Sequence, residues 1–311
     1  MIQLLTNQQI DKKKWDECLH ACPQNNLYAN SWYLDLVCPN WKGIVYEQNQ
    51  KYSAIMPVPV IEKYFFEIVR QPLFCQQVGF FSQNEALLDD FLQVLSQKFR
   101  YIPKYCLNVK NFSEKIALPF QTQKNYTHHL DLSQNYEQIY KGYHADRRYR
   151  LRKATASEII ESLDIESLIQ LFREDTAKKI SGGVSEKAYS LLRTIFSELT
   201  KRNLAKLFYT KKNGQITSGI LVVFYQNQLI YLFNAAPEKF RKDDGRTLLL
   251  DHIFRKYAQS DFIFDFESPK KPQICSFYES FGAKPMPFWE ISYNNLPFWL
   301  EKIRQWKKQL L

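Results

Sequence analysis

The chain has 311 residues, of which 45% are hydrophobic and 24% are charged, so it is long enough for about two globular domains. No apolar run approaches the length of a membrane-spanning helix, and the first residues lack a signal-peptide pattern, which together predict a cytoplasmic protein. The formal net charge of +10 favours an anionic partner, such as a phosphate-rich cofactor, nucleic acid or lipid headgroups.

The first part of the chain contains alternating helix and strand patterns. An apolar stripe predicts a helix over residues 8–21, and Ser31 is a suitable cap for a short second helix. Further strands are predicted at 43–47, 52–57, 60–69 and 105–109, with a helix at 85–99. Gln76 and Gln77 lie in a loop rich in glutamine and aromatic residues. These elements predict an α+β domain over residues 1–125.

The second part repeats this order of elements more clearly. Helices are predicted at 136–154, 164–179, 186–202 and 247–254, and strands at 129–132, 205–210, 217–225, 229–233 and 262–266. Asn213-Gly214 is a suitable hairpin turn, and residues 297–311 form a basic amphipathic helical pattern. We therefore expect a second α+β domain over residues 126–311. Each domain should hold a central mixed, largely antiparallel sheet flanked by helices.

Four short stretches of the second domain carry a resemblance to a known family. They are Lys242-Asp243-Asp244-Gly245-Arg246-Thr247, Tyr278-Glu279-Ser280-Phe281-Gly282-Ala283, Thr127 to Ser133 with the later Arg152-Lys153-Ala154, and Phe264-Asp265-Phe266-Glu267-Ser268. Together they resemble the acyl-CoA N-acyltransferase (GNAT) superfamily, in particular its tandem-domain branch of FemABX-like peptidyltransferases and BioF2-like acetyltransferases. The sequence departs from the family at Thr247, where a tiny residue is usual, and at Tyr278, where Fem-type transferases have Lys.

The resemblance implies that acetyl-CoA or another acyl-CoA is the co-substrate. The residues that it assigns to cofactor binding are Ala235, Arg241, Lys242, Gly245, Arg246 and Thr247. Free N–H groups at a helix N-terminus suit a diphosphate, and Gly245 allows the backbone to approach it closely. The alternative is a solvated charged turn, in which Asp243 and Asp244 would repel phosphate.

The resemblance also implies roles in acyl transfer to an amine. Asp265 or Glu267, which alternate with phenylalanines at a strand end, would take the proton of the amine. Asn234 and nearby backbone N–H groups would hold the oxyanion, and Tyr278 would protonate the leaving thiolate. The alternatives are strand-end solvation for the carboxylates, a turn role for Asn234 and core packing for Tyr278.

Two further groups of residues are predicted to bind the acceptor. Arg147, Arg148 and Arg150 lie on a basic helix that could clamp an anionic substrate or RNA, or could form a solvated face. Gln76 and Gln77 could line an acceptor groove between the domains, or could satisfy backbone groups of a buried loop.

Three functions follow from these patterns. The first is an N-acyltransferase that acts on a small-molecule or peptide amine. The second, which Tyr278 disfavours, is a Fem-like peptidyltransferase that uses aminoacyl-tRNA, and the third is a non-catalytic binding protein on a degenerate GNAT fold. We expect no DNA partner. We also expect no metal site, because Cys18, His20 and Cys22 have no further metal ligands nearby in the sequence.

Overall fold

A computed structural model describes residues 1–63, 66–113, 116, 119–154, 158–298 and 300. The strands are β1 (Ile2–Thr6), β2 (Lys42–Gln48), β3 (Lys51–Val58), β4 (Val60–Lys63), β5 (Phe66–Val69), β6 (Phe81–Ser82), β7 (Tyr101–Cys106), β8 (Gln121–Asp131), β9 (Glu158–Ser162), β10 (Ala205–Lys212), β11 (Gln215–Tyr225), β12 (Gln228–Ala235), β13 (Ile263–Asp265) and β14 (Lys284–Asn294). The α-helices are α1 (Lys12–Ala21), α2 (Ser31–Val37), α3 (Leu88–Lys98), α4 (Tyr136–Lys141), α5 (Ala145–Lys153), α6 (Ile165–Glu174), α7 (Glu186–Lys201), α8 (Gly245–Tyr257) and α9 (Pro272–Glu279). None of the helices in these ranges is long and apolar enough to cross a bilayer.

The chain divides into two compact units. The first contains Met1–Asn125 together with the segment from Pro287 onward, and the second is Tyr126–Met286. The sequence analysis assigned everything after residue 125 to the second domain. It did not predict β14, which pairs antiparallel with β7 and places the segment from Pro287 in the first unit. The predicted helix at 297–311 lies almost entirely outside the described residues.

The first unit is built on an antiparallel sheet with strand order β1-β2-β3-β6 and a β4-β5 hairpin. Helix α1 begins at Lys12, later than predicted, because the Asp11 side chain accepts a hydrogen bond from Lys14 N (3.1 Å) and caps it there. Trp15 of this helix packs edge-on against Trp41, with 4.8 Å between ring centres, in a fully buried cluster. These two indoles anchor α1 to the sheet.

The second unit contains strands in the order β8-β13-β12-β11-β10-β9. Among these described strands, only β12 and β13 pair in parallel, and α8 forms the crossover between them. Their pairing ends at Ile230 and Asp265, so β12 continues to Ala235 without β13 beside it. A bulge at Leu232, between Tyr231 and Phe233 in the register with β11, adds twist at this point. The two strands therefore diverge next to the start of α8.

The basic helix predicted at 136–154 is broken into α4 and α5. Gly142 ends α4, and its carbonyl oxygen lies 3.1 Å from the position that a Cβ on Gly282 would occupy. Gly282 also has a φ of +82°, so glycine is required there both by space and by backbone conformation. Just after the break, His144 N donates to Ser280 O (2.9 Å). This contact places the start of α5 against the end of α9.

Candidate functional site

A cavity of about 380 Å³ opens at the N-terminus of α8, within the second unit. Its lining joins residues from α5, from the segment after α6, from β11, from the loop before α8, and from α9. These residues are Asp146, Arg147, Arg150, Asp175, Lys179, Thr217, Ser218, Ala236, Glu238, Phe240, Arg241, Asp244, Gly245, Arg246, Thr247 and Phe277.

The start of α8 presents free backbone N–H groups to this cavity. Asp244, which precedes the helix, has a left-handed backbone (φ 50°, ψ 27°), and no side chain caps the first turn. The amides of Gly245, Arg246 and Thr247 have no intrahelical acceptor, as for the first residues of any α-helix. Since the helix dipole is positive at this end, the position suits an anion.

Gly245 is required by a cluster of hydroxyls below it. A Cβ at this position would lie 2.6 Å from both Ser218 Oγ and Thr210 Oγ1. Thr210 Oγ1 in turn bonds Ser218 Oγ (2.7 Å) and Thr217 Oγ1 (2.9 Å), and all three hydroxyl side chains are buried. The helix can start this close to β10 and β11 only without a side chain at residue 245.

Arg147 contributes a buried cation to the cavity. Its Nε donates to Ser280 Oγ (2.9 Å) and its Nη1 donates to Thr247 Oγ1 (2.8 Å). Burial lowers the pKa of this guanidinium, although nearby Asp244 and Asp146 act in the opposite direction. No carboxylate lies within 4 Å of it in the described ranges. A buried guanidinium without a carboxylate at contact distance leaves a positive charge to be matched.

Arg147 and Arg246 both contact the ring of Phe277. Their guanidinium carbons lie 4.4 and 4.2 Å from the ring centre. By contrast, two cations at the rim are paired with carboxylates: Lys179 with Asp175 (2.7 Å) and Glu238 (3.0 Å), and Arg150 with Asp146 (3.0 Å). Uncompensated charge therefore lies at Arg147 and Arg246, next to the α8 amides, and also at Arg241, another lining residue without a carboxylate within 4 Å in the described ranges.

Four of the six residues predicted to bind the cofactor line the cavity: Arg241, Gly245, Arg246 and Thr247. Lys242 is exposed outside it, and Ala235 is buried at the end of β12, where its neighbour Ala236 lines the cavity instead. The expected repulsion by aspartates is reduced, because Asp243 hydrogen-bonds Lys212 and Asp244 lies 3.8 Å from Arg150.

The residues predicted to bind the acceptor separate into three groups. Arg147 and Arg150 line the cavity. Arg148 lies elsewhere, where its Nη1 donates to the carbonyl oxygens of Lys141 (3.1 Å) and Tyr143 at the end of α4. Gln76 and Gln77 belong to the first unit, where Gln77 Oε1 accepts from Val109 N (2.8 Å) and Gln77 Nε2 donates to Gln76 Oε1 (2.9 Å). This matches the alternative in which glutamines satisfy a buried loop.

Tyr278 lies in the core of the second unit and not on the cavity wall. Its side chain is 3% exposed and stacks on Phe266 with 4.4 Å between ring centres, while its neighbour Phe277 lines the cavity. Burial raises the pKa of Tyr278 to about 12, and the charge of Arg246 acts in the opposite direction. The phenol therefore lies within electrostatic reach of a cavity residue but is separated from the cavity itself.

Asp265 is held by partners from its own unit. Its Oδ1 accepts from Thr127 Oγ1 (2.5 Å) and Glu267 N (2.9 Å), and its Oδ2 lies 3.3 Å from His129 Nε2 without forming a hydrogen bond. Burial raises the pKa of Asp265, but His129, Thr127 and the Glu267 amide outweigh it, and the net pKa is lowered. This geometry fits a structural anion better than the predicted base.

The other two residues with predicted catalytic roles are half-buried. Glu267 follows β13 with a positive φ of 47°, and its charge raises the pKa of Tyr278. Asn234 pairs with Ile220 in the part of β12 that β13 does not cover. Both residues lie where the strands diverge, and their catalytic roles stay predictions.

Sequence reasoning missed Tyr231. This residue follows Ile230, the last residue of β12 paired with β13, and its hydroxyl is buried without a hydrogen-bond partner. In the sequence it was one more aromatic residue in an apolar strand. Only the point at which the strands diverge distinguishes it from its neighbours.

The described residues contain no group of three or more potential metal ligands among His, Cys, Asp and Glu side chains.

Comparison with known proteins agrees with this geometry. Residues 141–268, which contain α5, the diverging strands and the start of α8, match a family described as acetyltransferase (GNAT) domain. This stretch is a GNAT domain. No curated protein matches the chain in sequence.

The fold of the GNAT domain and its companion unit is shared with solved structures. FemX is 14% identical and covers 94% of this chain and 98% of its own, with a TM-score of 0.64. A tandem GNAT protein from the clavulanic acid biosynthesis pathway is 11% identical (96% and 99% covered, TM-score 0.56). A GNAT-family acetyltransferase from Colwellia psychrerythraea is 9% identical (94% and 100% covered, TM-score 0.53). At these identities the likeness shows the tandem GNAT fold alone.

Proposed function

We propose that this protein is an N-acyltransferase that transfers an acyl group from acyl-CoA to an amine. The observation that carries the proposal is the pair of guanidiniums of Arg147 and Arg246 at the Phe277 ring, unmatched by carboxylates, beside the free amides of α8. Phosphate oxygens would accept hydrogen bonds from those amides and neutralise the two cations. The diphosphate of a CoA thioester supplies such oxygens.

The residues around the cavity fit this donor. Gly245 brings the helix start against β11 and leaves no side chain over the first amide. The cavity volume of about 380 Å³ lies in the range of small-molecule sites. Thr217 and Ser218 add hydroxyls to the lining. Together these features provide amide, guanidinium and hydroxyl donors for an anionic group.

The reaction requires an attacking amine, an oxyanion site and a proton for the leaving group. The amine nitrogen attacks the thioester carbonyl, the C–S bond breaks, and the thiolate leaves with a proton. We assign the proton of the amine to Glu267 and the oxyanion to backbone amides of β12 near Asn234. The role of Tyr278 as proton donor to the leaving thiolate stays a prediction, because its phenol is buried outside the cavity. Asp265 is not retained as the base because its oxygens already face Thr127, His129 and the Glu267 amide.

A second candidate is transfer from aminoacyl-tRNA, and the fold of FemX favours it. Two observations weigh against it. Arg148 of the basic helix binds the end of α4, and Arg150 is paired with Asp146, so two of the cations on this helix already have partners within the chain. The acceptor, a small-molecule or peptide amine, and its predicted place between the two domains stay predictions.

Calorimetric titration and thermal unfolding of the protein test the proposal. We expect acetyl-CoA and CoA to bind and to raise the melting temperature, and bulk tRNA to bind weakly and only at low salt. Arg246→Ala should weaken CoA binding by about tenfold, whereas Lys242→Ala, in the turn just before α8 but outside the cavity, should not. Failure of both CoA and acetyl-CoA to bind, or equal effects of the two variants, would overturn it. Tight, salt-resistant tRNA binding would support the second candidate.

A further inference from the structure

The buried hydroxyl of Tyr231 requires an explanation that packing does not supply. The side chain is 2% exposed, and its oxygen is the only phenol oxygen among the buried side-chain atoms that lack a hydrogen-bond partner in the described ranges. An unpaired buried hydroxyl costs stability, because water bonds to it in the unfolded chain. A phenylalanine would fill the same space without this cost. A buried polar group left unpaired in a native structure calls for an explanation, such as a catalytic role or a bound partner.

The position of Tyr231 indicates where that partner would come from. The residue stands at the first place on β12 that β13 does not cover, immediately before the bulge at Leu232. Its ring contacts Tyr278 edge-on, with 6.2 Å between ring centres and 89° between planes. The hydroxyl thus belongs to a side chain at the point where the two strands part.

The same region is within electrostatic reach of the cavity. Burial raises the pKa of both Tyr231 and Tyr278, and the positive charge of Arg246 lowers both. Arg246 itself lines the cavity. The cation that would hold the donor's phosphates therefore also acts on both phenols. Because burial dominates, both phenols stay protonated at neutral pH and can donate a hydrogen bond.

We propose that the Tyr231 hydroxyl donates a hydrogen bond to a carbonyl oxygen of the donor's acyl-thioester arm where β12 and β13 diverge. This inference rests on the proposed function and identifies a residue that binds the same donor. The arm offers carbonyl oxygens of two kinds, in the thioester and in its amides. In either case the hydroxyl is satisfied only in the complex, so the free protein carries the cost of leaving it unpaired.

Replacing Tyr231 by phenylalanine tests this. Tyr231→Phe should leave the melting temperature of the free protein unchanged or higher, and should weaken acetyl-CoA binding by about 3- to 10-fold in calorimetric titration. If Tyr231→Phe weakens the binding of acetyl-CoA more than the binding of CoA, the contact is at the thioester. If the variant loses the same affinity for both ligands, the contact is at an amide of the arm. Replacement by 4-aminophenylalanine, which keeps a donor at this position, should retain the affinity even if the phenylalanine variant folds poorly.

Tyr105 in the first unit provides the matched control. The single proton of its buried hydroxyl has two acceptors within reach, Pro57 O (2.8 Å) and Gly79 O (2.9 Å). Tyr105→Phe should therefore lower the melting temperature and leave acetyl-CoA affinity unchanged. The inference is overturned if Tyr231→Phe binds acetyl-CoA and CoA as tightly as the wild type, or if the 4-amino variant loses affinity. If the wild type binds neither ligand, the proposed function fails first, so the two failures are distinguishable.

Discussion

The guanidinium carbon of Arg147 lies 4.4 Å from the centre of the Phe277 ring, and its nitrogens hydrogen-bond Ser280 and Thr247. Phe277 and Ser280 belong to the α9 region, and Thr247 belongs to α8. One side chain from α5 therefore connects the two helices that follow the diverging strands. Because the cation is buried, these contacts must offset the loss of its hydration.

Replacing Arg147 by lysine should impair both stability and binding. Lysine keeps the charge but cannot reproduce the planar contact with Phe277 together with two directed hydrogen bonds. We expect the free energy of unfolding to fall by about 1–3 kcal/mol and the affinity for CoA to fall about tenfold. Urea unfolding and calorimetric titration measure these two effects separately.

Arg148→Lys is the control for this prediction. Arg148 is on the same helix but bonds the carbonyl oxygens at the end of α4, outside the cavity. The Arg148→Lys variant should bind CoA as tightly as the wild type, and any effect should be on stability alone. If both lysine variants weaken CoA binding equally, the effect belongs to the helix as a whole and not to the Arg147 site.

Gly245→Ala should be destabilising for a steric reason. The added Cβ would lie 2.6 Å from Ser218 Oγ and Thr210 Oγ1, so the helix start or the hydroxyls must move. We expect a loss of about 1–3 kcal/mol in the free energy of unfolding. Adding Ser218→Ala removes one of the two clashing atoms and should recover part of the loss, as a double-mutant cycle can measure. Strictly additive losses would show that the clash is not the cause.

Asp251 should make stability depend on pH. This buried carboxylate of α8 accepts from Tyr136 (2.7 Å) and Tyr143 (3.0 Å), and burial raises its pKa more than these bonds lower it. The folded protein then holds the proton more tightly than the unfolded chain does. Its contribution to stability is full below the unfolded pKa, about 3.9, and is lost as pH rises through the higher folded pKa.

Urea unfolding of the wild type and of Asp251→Asn between pH 4 and 7 tests this dependence. The amide oxygen can still accept from the tyrosines, and the variant does not titrate. The stability of the wild type should therefore fall relative to that of the variant as pH increases. A constant difference over this range would mean that the pKa of Asp251 is not raised by folding.

Asp265→Asn and Glu267→Gln separate a structural carboxylate from a catalytic one. The net pKa of Asp265 is lowered, so its contribution to stability is present above the unfolded pKa and is lost as pH falls. Asp265→Asn should lower the free energy of unfolding by about 1–3 kcal/mol at pH 7, with turnover per folded molecule little changed.

Glu267→Gln should lower turnover with an unchanged melting temperature. The reverse pattern would make Asp265 the base.

Much of the fold could be predicted from the sequence because local chemistry determines it. Asn213 and Gly214 have positive φ angles of 51° and 76°, as a tight hairpin between β10 and β11 requires. Helix α7 begins at Glu186 because the Ser185 side chain accepts from Ala188 N (3.3 Å). The glycine at the start of α8 and the cations around it were also recognisable in the sequence, where they predicted an anion site.

The rest depended on contacts between distant parts of the chain. On a helix, neighbouring residues point about 100° apart, so the sequence could not show that Phe277 faces the cavity while Tyr278 faces the core. Only the folded chain brings Arg147, more than a hundred residues earlier, into contact with Phe277. Likewise, β14 was missed because its partner β7 is distant in sequence.

The short strand β13 has a consequence for how the second unit opens. It is three residues long, yet β8 pairs with it on one side and β12 on the other. Breaking these few backbone bonds would detach β8 from β12 while the long β10-β11-β12 ladders stay closed. Amide hydrogens of β13 should therefore exchange with solvent by a sub-global opening, earlier than those of β11, and a bound donor at the same place should slow that exchange.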